Sequence, residues 1–224
     1  MRKKIIFMAF VLCLSAIDLI AQNLSSKHKS DSIDGIRLSS FTLSTGYYKP
    51  ALTYYNNAFL LQANATDKFG GGTLISGNIS VELPLNLGAR AGIWYWGNKV
   101  NGSPTSTFTS LNVNFTGLSM GLFYTYPKDL YGIRPYIGMD GSYLMVQNVH
   151  YSEGAYNFNK GNDFVGMPFV GINRVFYDKL IVGVEYGYYL GRYLQDFDFN
   201  AGITPKSILI DGHKLQFTIG YNFK

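Results

Sequence analysis

The sequence has few residues that carry thiol or metal chemistry. It contains one cysteine, Cys13, and three histidines, and no two of these have a spacing typical of metal ligands. We therefore predict neither a metal nor a cofactor. Cys13 lies in an N-terminal segment with the features of a leader, so we expect the mature chain to lack disulfides and free thiols. Acylation of Cys13 as a lipoprotein anchor is less favoured, because the three residues before it are large.

Charge and long apolar runs are scarce as well. Only 15% of the residues are charged, and removal of the leader would lower the net charge from +5 to +3, which does not favour binding to nucleic acid. After residue 21, no apolar run approaches the roughly 20 residues of a membrane-spanning helix. Aromatic residues, in contrast, reach 16%. This excess favours a barrel whose alternate residues face lipid over a soluble secreted β-sandwich, which would not need it.

The N-terminal 35 residues divide into two parts. Basic residues at positions 2–4 precede an apolar run over 5–17, which is too short to cross a membrane as a helix. We interpret residues 1–21 as a signal peptide and the polar residues 22–35 as a periplasmic lead-in. The remaining chain, 36–224, has a length that suits one domain.

That domain alternates apolar and polar residues in eight segments, as strands with one apolar face do. We predict strands over 36–48, 73–83, 87–97, 110–126, 134–149, 163–176, 180–191 and 213–223. We predict long connections over 49–72, 98–109, 150–162 and 192–212, and short turns between the other strands. This arrangement predicts an all-β fold, an antiparallel up-and-down transmembrane β-barrel of eight strands with both termini on the periplasmic side.

Two segments depart from strict alternation. The fourth has apolar residues at odd positions over 111–115 and at even positions over 118–124, which predicts a β-bulge near 116–117. The sixth contains Pro168, which cannot donate a hydrogen bond to a neighbouring strand. We therefore expect a bulge or a position at the barrel rim there.

Aromatic side chains collect near the ends of the predicted strands. The general preference of aromatic residues for strands would explain some of them. Their clustering at strand ends favours girdles at the two membrane interfaces. The predicted interfacial aromatics are Tyr47, Tyr48, Tyr95, Tyr124, Tyr126, Tyr136, Phe176, Tyr177, Tyr221 and Phe223.

The last strand carries a further signal. Residues 216–223 alternate and end in Phe223, with Lys224 as one additional residue. This ending is similar to the terminal strand that outer-membrane barrels present to the barrel-assembly machinery. With its eight strands, the domain 36–224 resembles the small outer-membrane barrels of the OmpA, OmpX and opacity type. The resemblance implies an integral protein of the bacterial outer membrane, in contact with lipid and lipopolysaccharide and inserted by the assembly machinery.

Strand parity places five charged side chains inside the predicted barrel. They are Glu82, Arg90, Asp140, Glu185 and Lys214. A buried charge needs a partner, and the short turn after the second strand predicts that Glu82 lies directly opposite Arg90. An eight-stranded barrel is only wide enough for its own side chains. We therefore interpret this set as a polar plug, with a narrow pathway for ions or small solutes as the alternative.

A second candidate site lies at the end of the fifth strand. His150 and Ser152 resemble the His-x-Ser motif of the outer-membrane lipid A deacylases. The resemblance implies His150 as the base, Ser152 as the nucleophile and Asp163 or Glu153 as the acid that orients the histidine. In this chain Glu153 replaces the family's asparagine, three strands follow the motif, and His150 shares its face with the inward Asp140. We interpret the motif as a polar strand end and predict no enzyme.

The four long connections are rich in Tyr, Phe and Asn and carry few charges. Such residues form good contact surfaces, and the alternative is packing over the barrel mouth. The aromatics expected there are Tyr54, Tyr55, Phe59, Tyr151, Tyr156, Phe158, Phe197 and Phe199. The sequence thus predicts a non-catalytic barrel for envelope integrity, or for binding a surface ligand or envelope protein through four long extracellular loops. A narrow pore is the alternative, and a lipid A hydrolase is the least favoured.

Overall fold

The computed structural model describes residues 36–62, 65, 67–103, 108–128, 131–195 and 206–223. The predicted signal peptide, 1–21, and lead-in, 22–35, lie outside the described residues. Ten strands account for most of the described chain. They are β1 Arg37–Pro50, β2 Gly72–Glu82, β3 Leu87–Asn101, β4 Phe108–Thr125, β5 Ile133–Ser152, β6 Ala155–Phe176, β7 Leu180–Tyr189, β8 Arg192–Gln195, β9 Lys206–Leu209 and β10 Gly212–Asn222.

The strands form one antiparallel sheet that closes on itself. Strands β1 to β7 pair in chain order, and β10 pairs with both β7 and β1, so eight strands complete the ring. Strands β8 and β9 extend β7 and β10 in the same register, since Tyr189 pairs with Gly212 and Arg192 with Leu209. The predicted eight-stranded up-and-down barrel is confirmed.

The outer wall of the barrel carries an apolar belt. Alternate strand residues face opposite sides of the wall, and the outward set is mainly aliphatic or aromatic on every strand of the ring. Exposed members include Leu43, Ile79, Ile93, Met120, Ile137, Val170, Val182 and Phe217. A water-soluble protein rarely exposes so large a continuous apolar surface, so this belt is the surface that contacts lipid.

In the part of the chain that the structure describes, no helix is long and apolar enough to cross a membrane.

Three short links lie at one end of the barrel, which we name the turn end. In the β2–β3 link, Leu85 and Asn86 have φ of 64° and 60°, and the Leu83 N–H donates to the Leu87 carbonyl at 3.0 Å. In the β6–β7 link, Tyr177 and Asp178 also have positive φ. Residues with this left-handed backbone conformation form the tight turns that join neighbouring antiparallel strands.

The opposite end, which we name the loop end, differs from the prediction. The predicted loop over 150–162 is a hairpin, in which β5 and β6 continue to a two-residue turn at Glu153 and Gly154. Both turn residues have positive φ, 50° and 82°, as this tight turn requires. The alternation of the sequence weakens here because the extension lies beyond the apolar belt, where the outward face need not be apolar.

The bulge predicted in β4 is absent, and so is the bulge or rim position predicted at Pro168, which pairs with Met139 beside the charged Asp140. Strand β4 keeps one register with both neighbours from Ser110 to Tyr124. The apolar side chains at its odd positions over 111–115 point inward, whereas those at even positions over 118–124 point outward. The shift from odd to even positions therefore marks an apolar layer inside the barrel. Strand β6 likewise keeps one register with β7 and β8 on both sides of Pro168. Near the proline the continuous pairing is interrupted, and a single bridge between Gly166 and Leu190 keeps the same register.

Candidate functional site in the barrel lumen

A charged layer crosses the middle of the lumen and is organised by Arg90 on β3. The guanidinium donates to Asp140 on β5 through Nε to Oδ1 (2.9 Å) and Nη2 to Oδ2 (2.6 Å). It also donates to Glu185 on β7 through Nη1 to Oε2 (2.5 Å) and Nη2 to Oε1 (3.2 Å). The ring of Phe169 lies 3.7 Å from the guanidinium carbon. Arginine suits this position because its planar guanidinium group has enough N–H donors to bind two carboxylates at once.

Glu185 is the second centre of this layer. It accepts hydrogen bonds from Lys214 Nζ (2.8 Å), Gln216 Nε2 (3.1 Å) and the Tyr136 hydroxyl (3.2 Å). Two cations therefore meet two carboxylates, and the layer carries no net formal charge. The side chain of Arg90 is 10% exposed and those of its ionised partners are less so. Buried charges tolerate this environment only when they are paired in this way.

The structure brings together four of the five charged residues that strand parity placed inside. The predicted pairing of Glu82 with Arg90 is wrong. Glu82 lies opposite Gly88, and Ser80 is the residue opposite Arg90. The tight turn is centred on Leu85, one residue earlier than the prediction assumed, and this moves Glu82 towards the turn end.

Two tyrosines predicted at the membrane interface lie inside the barrel. Tyr136 is part of the charged layer, and Tyr48 is fully buried. Both share the parity of inward residues on their strands, Asp140 on β5 and Ser44 on β1, so strict parity would have placed them correctly. Their aromatic character, which is typical of girdles, was the misleading signal.

A second layer, aromatic and dry, lies on the loop-end side of the charged layer. The ring of Trp96 stacks on Phe115 at 4.9 Å between centroids, and its Nε1 donates to the Tyr48 carbonyl at 3.1 Å. The ring of Tyr189 lies 4.8 Å from Tyr48 and 4.9 Å from Trp94. These five side chains are at most 3% exposed and fill the cross-section of the lumen. Side chains that are buried this completely leave no water-sized gap beside them.

The connection between β1 and β2 folds into the loop-end mouth. It contains a helical segment of two short parts, Tyr55–Phe59 and Leu60–Gln62. The Tyr55 hydroxyl donates to Gln195 Oε1 (2.5 Å) and accepts from Asn148 Nδ2 (2.8 Å). Burial raises the pKa of Tyr55, so this hydroxyl keeps its proton.

The exposure predicted for this connection is therefore wrong. Tyr55 is buried, and Tyr54 and Phe59 pack against the same apolar core. The segment Tyr55–Gln62 is part of the closure of the barrel. The alternative prediction, that these aromatic residues pack over the barrel mouth, is the correct one for this segment. Phe197 and Phe199 lie outside the described residues.

A polar cavity of about 410 Å³ lies on the turn-end side of Arg90. Hydroxyl and amide side chains such as Ser44, Asn78, Ser80 and Thr218 line it, and Glu82 lies at its rim. We name this cavity the vestibule. The lumen therefore has three levels, which are the open vestibule, the charged layer and the aromatic layer with its helical segment.

The geometry around His150 disagrees with a deacylase site. His150 points into the barrel and its ring lies edge-on to Phe59, at 5.5 Å between centroids. Asp163 pairs with Leu144 on β5, six residues from His150, which is about 20 Å along a strand. Asp163 therefore does not orient the His150 ring, and His150 does not face lipid. Among the described residues, no cluster of three His, Cys, Asp or Glu side chains could hold a metal ion.

Comparison with known proteins identifies the fold. No protein-family model and no curated protein matches the sequence. The outer membrane protein OprG from Pseudomonas aeruginosa superposes with a TM-score of 0.58 at 11% identity, over 86% of this chain and 99% of that one. The chain has the fold of a small outer-membrane β-barrel.

Two further structures are similar. A major outer membrane protein from Thermus thermophilus gives a TM-score of 0.51 at 12% identity, over 84% of this chain and 100% of that one. Neisserial surface protein A gives 0.49 at 11% identity, over 85% and 100%. The apolar belt of this chain is the surface by which barrels of this type sit in the outer membrane.

Proposed function

We propose that this protein is a closed, non-catalytic outer-membrane barrel that acts through its loop-end surface and not through its lumen. The observation that carries this proposal is the double closure of the lumen. The charged layer around Arg90 fills the middle of the barrel, and the aromatic layer around Trp96 fills the level beyond it. A solute would have to displace both, which supports a role in envelope integrity or surface interaction.

The hairpin of β5 and β6 is the part best placed for such an interaction. These strands have 20 and 22 residues, whereas a strand needs about 9–11 to cross a membrane. The hairpin therefore extends well beyond the apolar belt. Tyr156 and Phe158 are 65% and 60% exposed on it, and Tyr151 contacts Tyr156 at 4.6 Å between ring centroids. Rigidly held aromatic rings bind partners at low entropic cost, so a surface ligand or an envelope protein fits this hairpin.

A narrow pore remains the second candidate because of the vestibule. Its hydroxyl and amide lining is open at the turn end and reaches Arg90. Conduction would require the charged layer to open together with the aromatic layer.

Single-channel recording in a planar bilayer separates the two candidates. We expect no steady openings from the refolded barrel and none from Arg90→Ala, because the aromatic layer still closes the lumen after Arg90 is truncated. Steady openings whose conductance changes in Arg90→Ala would establish the pore and overturn the proposal.

The orientation in the membrane is tested by thiol labelling. The described residues contain no cysteine, so Phe158→Cys and Tyr177→Cys each introduce one thiol at opposite ends of the barrel. With a bulky, membrane-impermeant maleimide added to intact cells, we expect labelling of Phe158→Cys and not of Tyr177→Cys. Both side chains are exposed, at 60% and 94%, so labelling of Tyr177→Cys alone would mean that the turn end faces outward.

A further inference from the structure

The outer wall contains an apolar trough between β4 and β7. Tyr124 on β4 and Tyr186 on β7 form its walls, because they end a row of paired residues that runs through Ile137 and Val170. The shorter side chains of Pro135, Ile137, Val170 and Ile172 form its floor. The space between the tyrosine walls is about 730 Å³ and almost wholly apolar. The apolar belt contains this trough, so lipid is the medium that it meets.

The trough is confined to one leaflet of the membrane. Its floor on β5 runs from Pro135 to Ile137, and the next outward residue of that strand is Met139, which is 55% exposed. The terminal methyl group of Met139 lies against Gly166 of β6, so this side chain bounds the trough towards the loop end. From Pro135 to Met139 the strand rises about 13 Å. With the usual tilt of barrel strands this is a depth of about 10 Å, or a third of the hydrocarbon core.

A cation lies next to the trough, on its turn-end side. Arg174 is the next outward residue of β6 after Ile172, and it pairs with Ile133 and Val182. Its guanidinium carbon lies 4.9 Å from the centre of the Phe176 ring, so the side chain leans towards the turn end and away from the hydrocarbon. A long basic side chain in this position reaches the headgroup region of the membrane.

We propose that the trough binds one acyl chain of an anionic phospholipid whose phosphate group lies against Arg174. The chain would lie between Tyr124 and Tyr186, over the small side chains of β5 and β6. The inference rests on the orientation given under the proposed function, which places the turn end and Arg174 in the periplasmic leaflet. The occupant is therefore a phospholipid and not lipopolysaccharide, which lies in the other leaflet.

Native mass spectrometry of the refolded barrel in detergent tests this site. Phosphatidylglycerol and phosphatidylethanolamine with identical acyl chains are added separately and the bound lipid is counted. A single cation near the headgroup predicts a preference for phosphatidylglycerol of about fivefold. Arg174→Gln should abolish the preference, and Arg174→Lys should restore most of it. Equal retention of the two lipids by the unchanged protein would overturn the proposal.

A substitution in the trough tests the acyl-chain part. Val170→Trp fills the floor and should lower the retention of both lipids several-fold. Two matched controls are Ile75→Trp, which adds the same ring to the outer face of β2, and Lys179→Gln, which removes a cation that lies over Tyr221 at the same end. Circular dichroism verifies that each variant is folded. Equal losses in Val170→Trp and Ile75→Trp, or in Arg174→Gln and Lys179→Gln, would contradict a specific site. None of these outcomes depends on whether the lumen conducts, so the proposed function is tested separately.

Discussion

Replacement of Arg90 by methionine is expected to lower the free energy of unfolding by about 3–5 kcal/mol. Methionine keeps much of the apolar stem and removes the guanidinium that pairs with Asp140 and Glu185. Both carboxylates then remain buried, and Lys214 is left as the cation of the layer that contacts Glu185. Urea titration of the barrel in lipid vesicles, followed by circular dichroism, measures the loss.

Two comparisons make the Arg90 prediction specific. Arg192→Met removes an exposed arginine of β8 and should change stability by no more than about 0.5 kcal/mol. In double-mutant cycles, Arg90→Met should couple strongly to Asp140→Asn and only weakly to Glu82→Gln. Strong coupling to Glu82 would restore the pairing predicted from the sequence and contradict the charged layer described above.

Replacement of Trp96 by alanine is the second large effect, again about 3–5 kcal/mol. The side chain is fully buried, and its removal leaves a cavity between Tyr48 and Phe115 that neighbouring strands, fixed by their hydrogen bonds, cannot close. It also removes the donor to the Tyr48 carbonyl. The same urea titration measures this loss.

The matched control is the preceding residue of β3. Tyr95 is also aromatic, but it points outward and is 47% exposed on the barrel surface. Tyr95→Ala should cost clearly less than Trp96→Ala, because lipid can fill the space that the tyrosine leaves. If the two variants lost equal stability, the lumen at this level would be wet and the aromatic layer would not be a packed core.

The barrel itself was predictable because the two-residue period of a strand assigns each side chain to one face. Asp140, Glu185 and Lys214 could be placed inside by parity alone, and the outward apolar residues followed from the same rule. Parity also predicts that Tyr48 and Tyr136 point into the barrel. The assignment of aromatic residues to the membrane interfaces overrode this prediction and placed the two tyrosines wrongly.

The partners of Arg90 were not predictable from local sequence. The guanidinium reaches across the lumen to residues 50 and 95 positions away in the chain. The stagger of the strands around the ring decides which carboxylates meet the guanidinium. This stagger depends on the position of each turn, which the sequence defines only to within one residue. An error of one residue at the β2–β3 turn was enough to pair Arg90 with Glu82.

The closure of the barrel mouth by residues of the β1–β2 connection was not predictable for a different reason. Tyr55 has no strand period to define its direction, so exposure and packing over the mouth were equally open. The apolar inward residues of β4 gave the missing signal, because residues 111–115 need an apolar partner inside the lumen. We interpreted that change of phase as a bulge, which removed the evidence for an internal core.

The most direct test of the central claim compares thiol access at two levels of the lumen. Ser80→Cys places a thiol in the vestibule, and Ser142→Cys places one beside Trp94, where the serine hydroxyl accepts the indole N–H at 3.3 Å. The substitutions are chemically identical, so only position differs. With a small charged thiol reagent on the folded barrel, we expect rapid modification of Ser80→Cys and none of Ser142→Cys. Comparable rates at the two positions would show that water reaches the level of Trp94, and would contradict a lumen closed by the charged and aromatic layers.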